Sequence, residues 1–223
     1  MQRIVVGIAL AALTAASVCS QPAIVMVEDW SRHRVGTTGV PDGWKGQDWG
    51  SPRYDFVVAA GGAGKVLRLR SQGDSSTVSK EIKVDVKHLP LLVWRWKMVT
   101  LPPGGDCRRK QTDDEAGQVY VTFPRFPAKL RSRIIGYVWD TTAPAGTIVA
   151  SPSSGLVTYV VVRSGAEEIG RWITETRNVY EDYKRIYGVE PREDVGAVSV
   201  AIDSDDTRSR AESFVGEIFF RAQ

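Results

Sequence analysis

Apolar and polar residues alternate along most of the chain beyond residue 20. Leu92, Trp94, Trp96 and Met98 share one face of a run whose other face carries Val93, Arg95, Lys97 and Val99. A period of two is the mark of a β-strand, and large aromatic residues at that period are expected in a core. The same reading predicts strands over Ile24 to Trp30, Ile82 to Val86, Gln118 to Phe123, Val198 to Ile202 and Phe214 to Phe220. Tyr54 to Ala60 and Val66 to Arg70 are separated by Gly61-Gly62-Ala63-Gly64, which predicts a hairpin with a glycine-rich turn. Ile134 to Trp139 and Leu156 to Arg163 are apolar on both faces and read as central strands. Gly36 to Gly50, rich in Gly, Asp and Pro, is expected to be a long surface loop anchored by Trp44 and Trp49.

One segment breaks the period. Asn178 and Glu181 form a capping box, and Val179, Tyr183, Ile186 and Tyr187 fall on one helical face. Lys184 and Arg185 suit the C-terminal turn, and Gly188 and Pro191 end it. About ten strands and one short helix near residues 178–187 predict an all-β fold, a two-sheet jelly-roll-like β-sandwich. A single domain over residues 21–223 is expected, since β-sandwiches of about 200 residues commonly form one core.

Residues 1–20 carry Arg3, an apolar run from Ile4 to Leu13 and a tail of small residues, the pattern of a secretory signal peptide. The run is too short to span a bilayer, so no transmembrane span is expected after its removal. The expected location is periplasmic or secreted. Ala16-Ser17-Val18-Cys19 also resembles a degraded lipobox, which keeps a lipid anchor at Cys19 and an outer-membrane lipoprotein as the alternative. Without Arg3, 28 of the 29 basic residues remain against 26 acidic ones, and they are scattered, which gives no electrostatic case for nucleic acid. Only Cys107 is left as a thiol after Cys19, so the scaffold is expected to hold without disulfides.

The polar residues that could do chemistry sit in loops. Asp106, Asp113 and Asp114 precede the Gln118 strand, and Asp203, Asp205 and Asp206 follow the Val198 strand. Clustered carboxylates have three readings: ligands of a hard cation such as Ca²⁺, an acid pair bracketing a glycosidic bond, or turn residues that pair with arginines. Asp203-Ser204-Asp205-Asp206 opens like a calcium loop, but Arg208 stands where an EF-hand needs Gly, which leaves only an irregular calcium site. His33, His88 and Cys107 are too dispersed for zinc or for a nucleophilic triad. Trp139, at the end of an apolar strand, is either a sugar-stacking platform on the rim or a plug for the sandwich end. Arg177, Asn178 and Asp182 surround the helix start, with Asn178 as its cap and Arg177 as a partner for a carboxylate.

Taken in order, Trp94-Arg95-Trp96, Leu101 to Asp106, Asp113 to Phe123, Tyr137 to Asp140, Val161 to Gly165, Arg177 to Tyr183, Tyr187 to Pro191 and Ala201 to Thr207 resemble the bacterial family named domain of unknown function 3047. The resemblance implies exported proteins with a sandwich related in outline to galactose-binding and concanavalin-like jelly rolls, and no established activity. Relatives often read DTDNT in the last motif, so Asp206 replaces an Asn and adds charge. The expected function is a non-catalytic binding module for a glycan or other polar envelope ligand, through Asp106, Asp113, Asp114, Trp139, Arg177, Asn178 and Asp182, with Asp203, Asp205 and Asp206 as the calcium candidates. The alternatives are a hydrolase or lyase of envelope polysaccharide using paired Asp residues, and a structural module that meets another envelope protein at a sheet edge.

Overall fold

A computed structural model describes residues 24–223. The expected signal peptide over residues 1–20, and with it Cys19, lies outside the described residues. The strands are β1 (Ile24–Glu28), β2 (Lys45–Gly46), β3 (Asp55–Gly61), β4 (Gly64–Gln72), β5 (Ser75–Val84), β6 (Leu91–Thr100) and β7 (Gly117–Phe123). They continue with β8 (Arg133–Asp140), β9 (Ile148–Ala150), β10 (Val157–Ser164), β11 (Ile173–Asn178), β12 (Val195–Asp203) and β13 (Arg210–Arg221). Helix α1 (Ala128–Arg131) is a single turn in the β7–β8 hairpin, and α2 (Val179–Tyr187) follows β11.

Two sheets face each other, as the alternation requires. One has the order β11-β6-β13-β4-β3, with β1 beside the end of β13. The other has the order β2-β5-β12-β7-β8-β10-β9. All neighbours are antiparallel except β8 and β10, whose connection returns through β9. The seven-stranded sheet ends in a two-residue strand on one side and a three-residue strand on the other.

The space between the sheets is filled from both sides by the period-two residues. Trp94 and Trp96 of β6 and Tyr137 and Trp139 of β8 are all buried there. Trp94 stacks on Tyr137 with ring centroids 5.3 Å apart, and Trp96 meets Trp139 edge-on at 5.9 Å. Trp139 is therefore the plug and not a platform: it is 1% exposed and donates its Nε1–H to Gly165 O at 3.0 Å. The alternation that turns Tyr137 inward turns Trp139 inward too.

The strand expectations need three corrections. Ser75 to Ser79 is strand although it is polar, because its row is completed by hydrogen bonds to β12 and β2. Asp85 to Leu89 turns back on itself, so Val86 lies outside the strand that its spacing suggested. Strand β11 was not foreseen: its Thr and Glu residues face water or Arg163, and its pairing with β6 holds it in the sheet.

The early loop is ordered by one buried carboxylate. Glu28 accepts hydrogen bonds from Trp30 N at 2.9 Å, Trp44 Nε1 at 3.0 Å and Lys80 Nζ at 2.7 Å. Burial opposes its ionisation, but these donors hold its carboxyl below the usual range. Trp44 stacks on Trp30 at 5.6 Å, so one of the two loop tryptophans is an anchor, as expected, while Trp49 stays 60% exposed.

Helix α2 closes one end of the core. Asn178 Oδ1 accepts from Glu181 N at 3.0 Å, and Gly188 ends the helix at φ 68°, a left-handed conformation that glycine adopts without strain. Tyr183 packs on Phe123 at 4.6 Å. Arg177 grips Asp182 with two bonds, Nε to Oδ2 at 3.0 Å and Nη2 to Oδ1 at 2.6 Å, and Tyr137 Oη donates to Oδ2 at 2.9 Å. This triad ties β11, α2 and β8 together across the two sheets. Asp182→Ala leaves a partly buried arginine and a core tyrosine without an acceptor, and is expected to cost about 3 kcal/mol. Tyr137→Phe is expected to cost about 1 kcal/mol. Urea unfolding monitored by tryptophan fluorescence checks both values, and equal costs would show that the triad does not act as described.

Candidate functional site

Since the core consumes the inward residues, polar chemistry is left to the outer faces and loop ends. The outer face of the seven-stranded sheet carries one continuous row. Lys45 pairs with Ser79, Ser79 with Ser199, Ser199 with Tyr120, Tyr120 with Gly136, Gly136 with Tyr159 and Tyr159 with Val149, across all seven strands. Ser199 Oγ donates to Ser79 Oγ at 3.0 Å. Gly136 is the low point of this row. A Cβ there would lie 2.7 Å from the Tyr120 ring and 3.0 Å from the Tyr159 ring, so only glycine lets both rings settle over the strand. Gln118, one step along, shares a short hydrogen bond with the Tyr120 hydroxyl.

Apolar groups stand exposed beside this face. Gln47 joins β5 through its side chain, accepting from Thr77 N at 2.7 Å, and Trp49 follows it. At the β7–β8 hairpin, Lys129 reaches Asp48 at 3.3 Å. The hairpin tip thereby brings Phe126 and Leu130, 91% and 76% exposed, to the side of the sheet that bears Trp49.

At one end of the central strands β7 and β12 the acidic loops converge. Strands β7 and β12 are antiparallel neighbours, with Gln118 opposite Ala201, so the start of one meets the end of the other. Asp203 Oδ1 accepts from Glu115 N at 2.6 Å. Asp114 accepts from Asp206 N at 3.1 Å and from Thr207 N at 2.6 Å, which staples the two loops together. Asp114, Asp203 and Asp205 each place a carboxylate oxygen within 4.8 Å of the others. Asp206, expected among the calcium candidates, is exposed and takes part through its backbone N–H, and Asp114 takes its place in the group.

Glu115 was not singled out from the sequence, yet it is fully buried at the centre of this region. Its signal was its position as the last acid of a run placed directly before a strand. Gln118 Nε2 donates to Glu115 Oε2 at 3.1 Å, while Oε1 has no partner. Burial, together with the charges of Asp203 and Asp113, pushes the Glu115 carboxyl well above its usual range. Burial pushes Asp113 up to about 6, against hydrogen bonds from Ser153 and Tyr159, and its Oδ1 is also unpartnered. Asp203 is likewise raised by burial and by its acidic neighbours.

The remaining candidates serve the loops. Asp140 accepts from the backbone N–H groups of Cys107 at 2.8 Å and Thr142 at 2.6 Å and so shapes both turns. Cys107 is buried against Val138, Ala143 and Tyr159; burial first, and Asp140 second, push its thiol far up, which leaves it inert as a nucleophile. Arg177, Asn178 and Asp182 belong to the helix closure and lie apart from the carboxylates, because α2 packs at the Phe123 end of β7. A separate cleft of about 390 Å³ beside β3, β4 and β13 mixes Arg53, Arg70 and Arg210 with Asp55, Asp74 and Glu212. Arg70 and Asp55 already pair there at 3.1 Å.

A family described as "Protein of unknown function (DUF3047)" matches residues 42–219. No curated protein matches the chain. Among solved structures, a family 30 carbohydrate binding module is 10% identical over 90% of this chain and 99% of that one, with a TM-score of 0.47. The CBM22-1 xylan-binding domain of Xyn10C from Paenibacillus barcinonensis is 10% identical over 91% and 97%, with a TM-score of 0.42. The xyloglucanase domain of NopAA, a type three effector from Sinorhizobium fredii, is 11% identical over 84% and 98%, with a TM-score of 0.44. At these identities and scores the likeness bears on neither ligand nor activity.

Asp106 gives this region its one carboxyl with a strong downward shift. Arg108 binds it through Nε at 2.7 Å and Nη2 at 2.8 Å, and this pairing outweighs burial to hold Asp106 at about 2. A carboxyl lowered from its ordinary 3.8 adds stability above that pH, and the gain is lost as pH falls towards 2. Because Arg108 is 41% exposed, the gain is held below about 1 kcal/mol. Asp106→Asn is therefore expected to lower the urea midpoint slightly at pH 6, with the difference from wild type shrinking between pH 4 and pH 2. A difference that grows on acidification would contradict this sign.

Proposed function

The chain belongs to the DUF3047 family, and we propose that it is an exported, non-catalytic glycan-binding module whose binding face is the outer side of the seven-stranded sheet. One observation carries the reading: a row of ammonium, hydroxyl and phenol groups, Lys45, Ser79, Ser199 and Tyr120, crosses strands β2, β5, β12 and β7, with Trp49 and Phe126 exposed in the adjoining loops. A sugar has apolar C–H faces and polar edges. The first stack on aromatic rings, and the second bond to side chains such as Ser79, Tyr120 and Lys45. The half-buried Tyr120 ring, seated over Gly136, gives this face an aromatic group at its centre.

The pattern of residues 1–20 supports export, and no helix among the described residues is long and apolar enough to cross a membrane. The face has moved from the residues first suggested by the sequence: Trp139 is enclosed, and Arg177, Asn178 and Asp182 hold the helix. Asp113 remains at its border, beside Tyr159.

The reading is tested on a panel of soluble neutral and acidic polysaccharides, followed by calorimetry on whichever oligosaccharide binds. Trp49→Ala and Phe126→Ala are exposed changes that leave the fold intact, and each is expected to weaken binding about tenfold, the loss of one stacking contact of roughly 1.4 kcal/mol. No binding by folded protein across the panel, or full affinity in both variants, would sink the proposal.

A further inference from the structure

We propose that Asp114, Asp203 and Asp205, with the buried Asp113 and Glu115 flanking Asp114 in the chain, form a binding site for a divalent cation of the calcium kind. The inference is independent of the glycan reading, because it rests on a different set of residues at the end of the sheet.

The first support is distance. Two oxygens that share an ion at about 2.4 Å lie at most about 4.8 Å apart. Asp114, Asp203 and Asp205 meet that limit together, although they come from two loops some ninety residues apart in sequence. The loops are held in this relation by the Asp206 and Thr207 N–H groups on Asp114 and by Glu115 N on Asp203. Each carboxylate oxygen has more than one lone pair, so these bonds orient the ligands without exhausting them.

The second support is independent of the cluster's acidity. Glu115 is 0% exposed and Asp113 is 6% exposed, and each keeps one carboxylate oxygen with no hydrogen-bond partner. A buried carboxylate left without a partner is costly unless a cation or a proton compensates it. Among the described residues no Lys, Arg or His forms an ion pair with Asp113, Asp114, Glu115, Asp203 or Asp205. The nearby Arg108 and Arg109 both turn to Asp106, at 2.7 and 3.7 Å.

The donor set selects the class of ion. All the converging atoms are hard carboxylate oxygens on irregular loops, which suits calcium, a cation that accepts six to eight oxygens in flexible geometry. Cys107 Sγ lies near Glu115 and Asp140 in a neighbouring group, but its neutral, buried thiol does not offer the thiolate that zinc would want.

The test uses the whole protein, stripped with a chelator. Thermal unfolding with added CaCl₂ is expected to shift upward by about 5 °C at a hundredfold excess over the dissociation constant. Terbium, a calcium substitute, is expected to luminesce on excitation of the protein's aromatic residues, since Tyr159 is close by. Asp205→Asn, at an exposed position, and Asp203→Asn are expected to abolish both signals, while Asp55→Asn on the other sheet keeps them. No shift and no terbium emission from the folded wild type would overturn the proposal. So would full signals in Asp205→Asn and Asp203→Asn, which would place the ion elsewhere. The Asp205 variant guards against the case in which Asp203→Asn fails to fold.

Discussion

The aromatic layer between the sheets is the constraint from which the rest of this structure follows. Trp94, Trp96, Tyr137 and Trp139 meet at 5.3–5.9 Å and fill the space that two facing sheets must exclude from water. Their burial fixes the register of β6 and β8, since a slip of one residue would turn every one of them outward. Fixing β8 in this way places Gly136, Val138 and Asp140 on the outer side. The row from Lys45 to Val149 and the turns built on Asp140 are thus consequences of how the core is packed. Over β8 and β10 that outer side is apolar as well: Val138, Tyr159 and Val161 pack with Cys107 and Ala143 of the covering loops in a second, smaller core.

The core also sets where charge can gather. Because β7 lies between β12 and β8, the loops at its start meet the loop that leaves β12. Polar residues that are unremarkable in separate loops then share a small volume. Arg108 and Arg109 are spent on Asp106 at the rim, and this leaves the inner acids with one another. Glu28 provides the contrast: it is as deeply buried, yet Lys80 and two indole or backbone donors satisfy it. One carboxylate organises a loop, and the other group accumulates like charge.

Local pattern was enough to read much of the fold. Trp94 and Trp96 were placed in the core by period alone, and the helix by Asn178, Glu181 and Gly188. What local pattern could not supply was pairing between distant strands. Asp114 and Asp203 are brought together by the register of β7 against β12, which no window of the sequence contains. Trp139 was left open because a strand end looks like a rim until the following turn is seen to fold over it. Ser75 to Ser79 escaped notice as strand because its hydrogen bonds, and not its side chains, hold it in the sheet.

The short edges of the seven-stranded sheet bear on how many copies can coexist. Strand β2 offers two residues and β9 three, too little free backbone to seed pairing with a neighbouring chain. An open edge on this sheet would invite neighbouring copies to join into ribbons. With so little backbone offered at either side, this sheet gives a neighbouring copy no ladder to extend, even where molecules are concentrated.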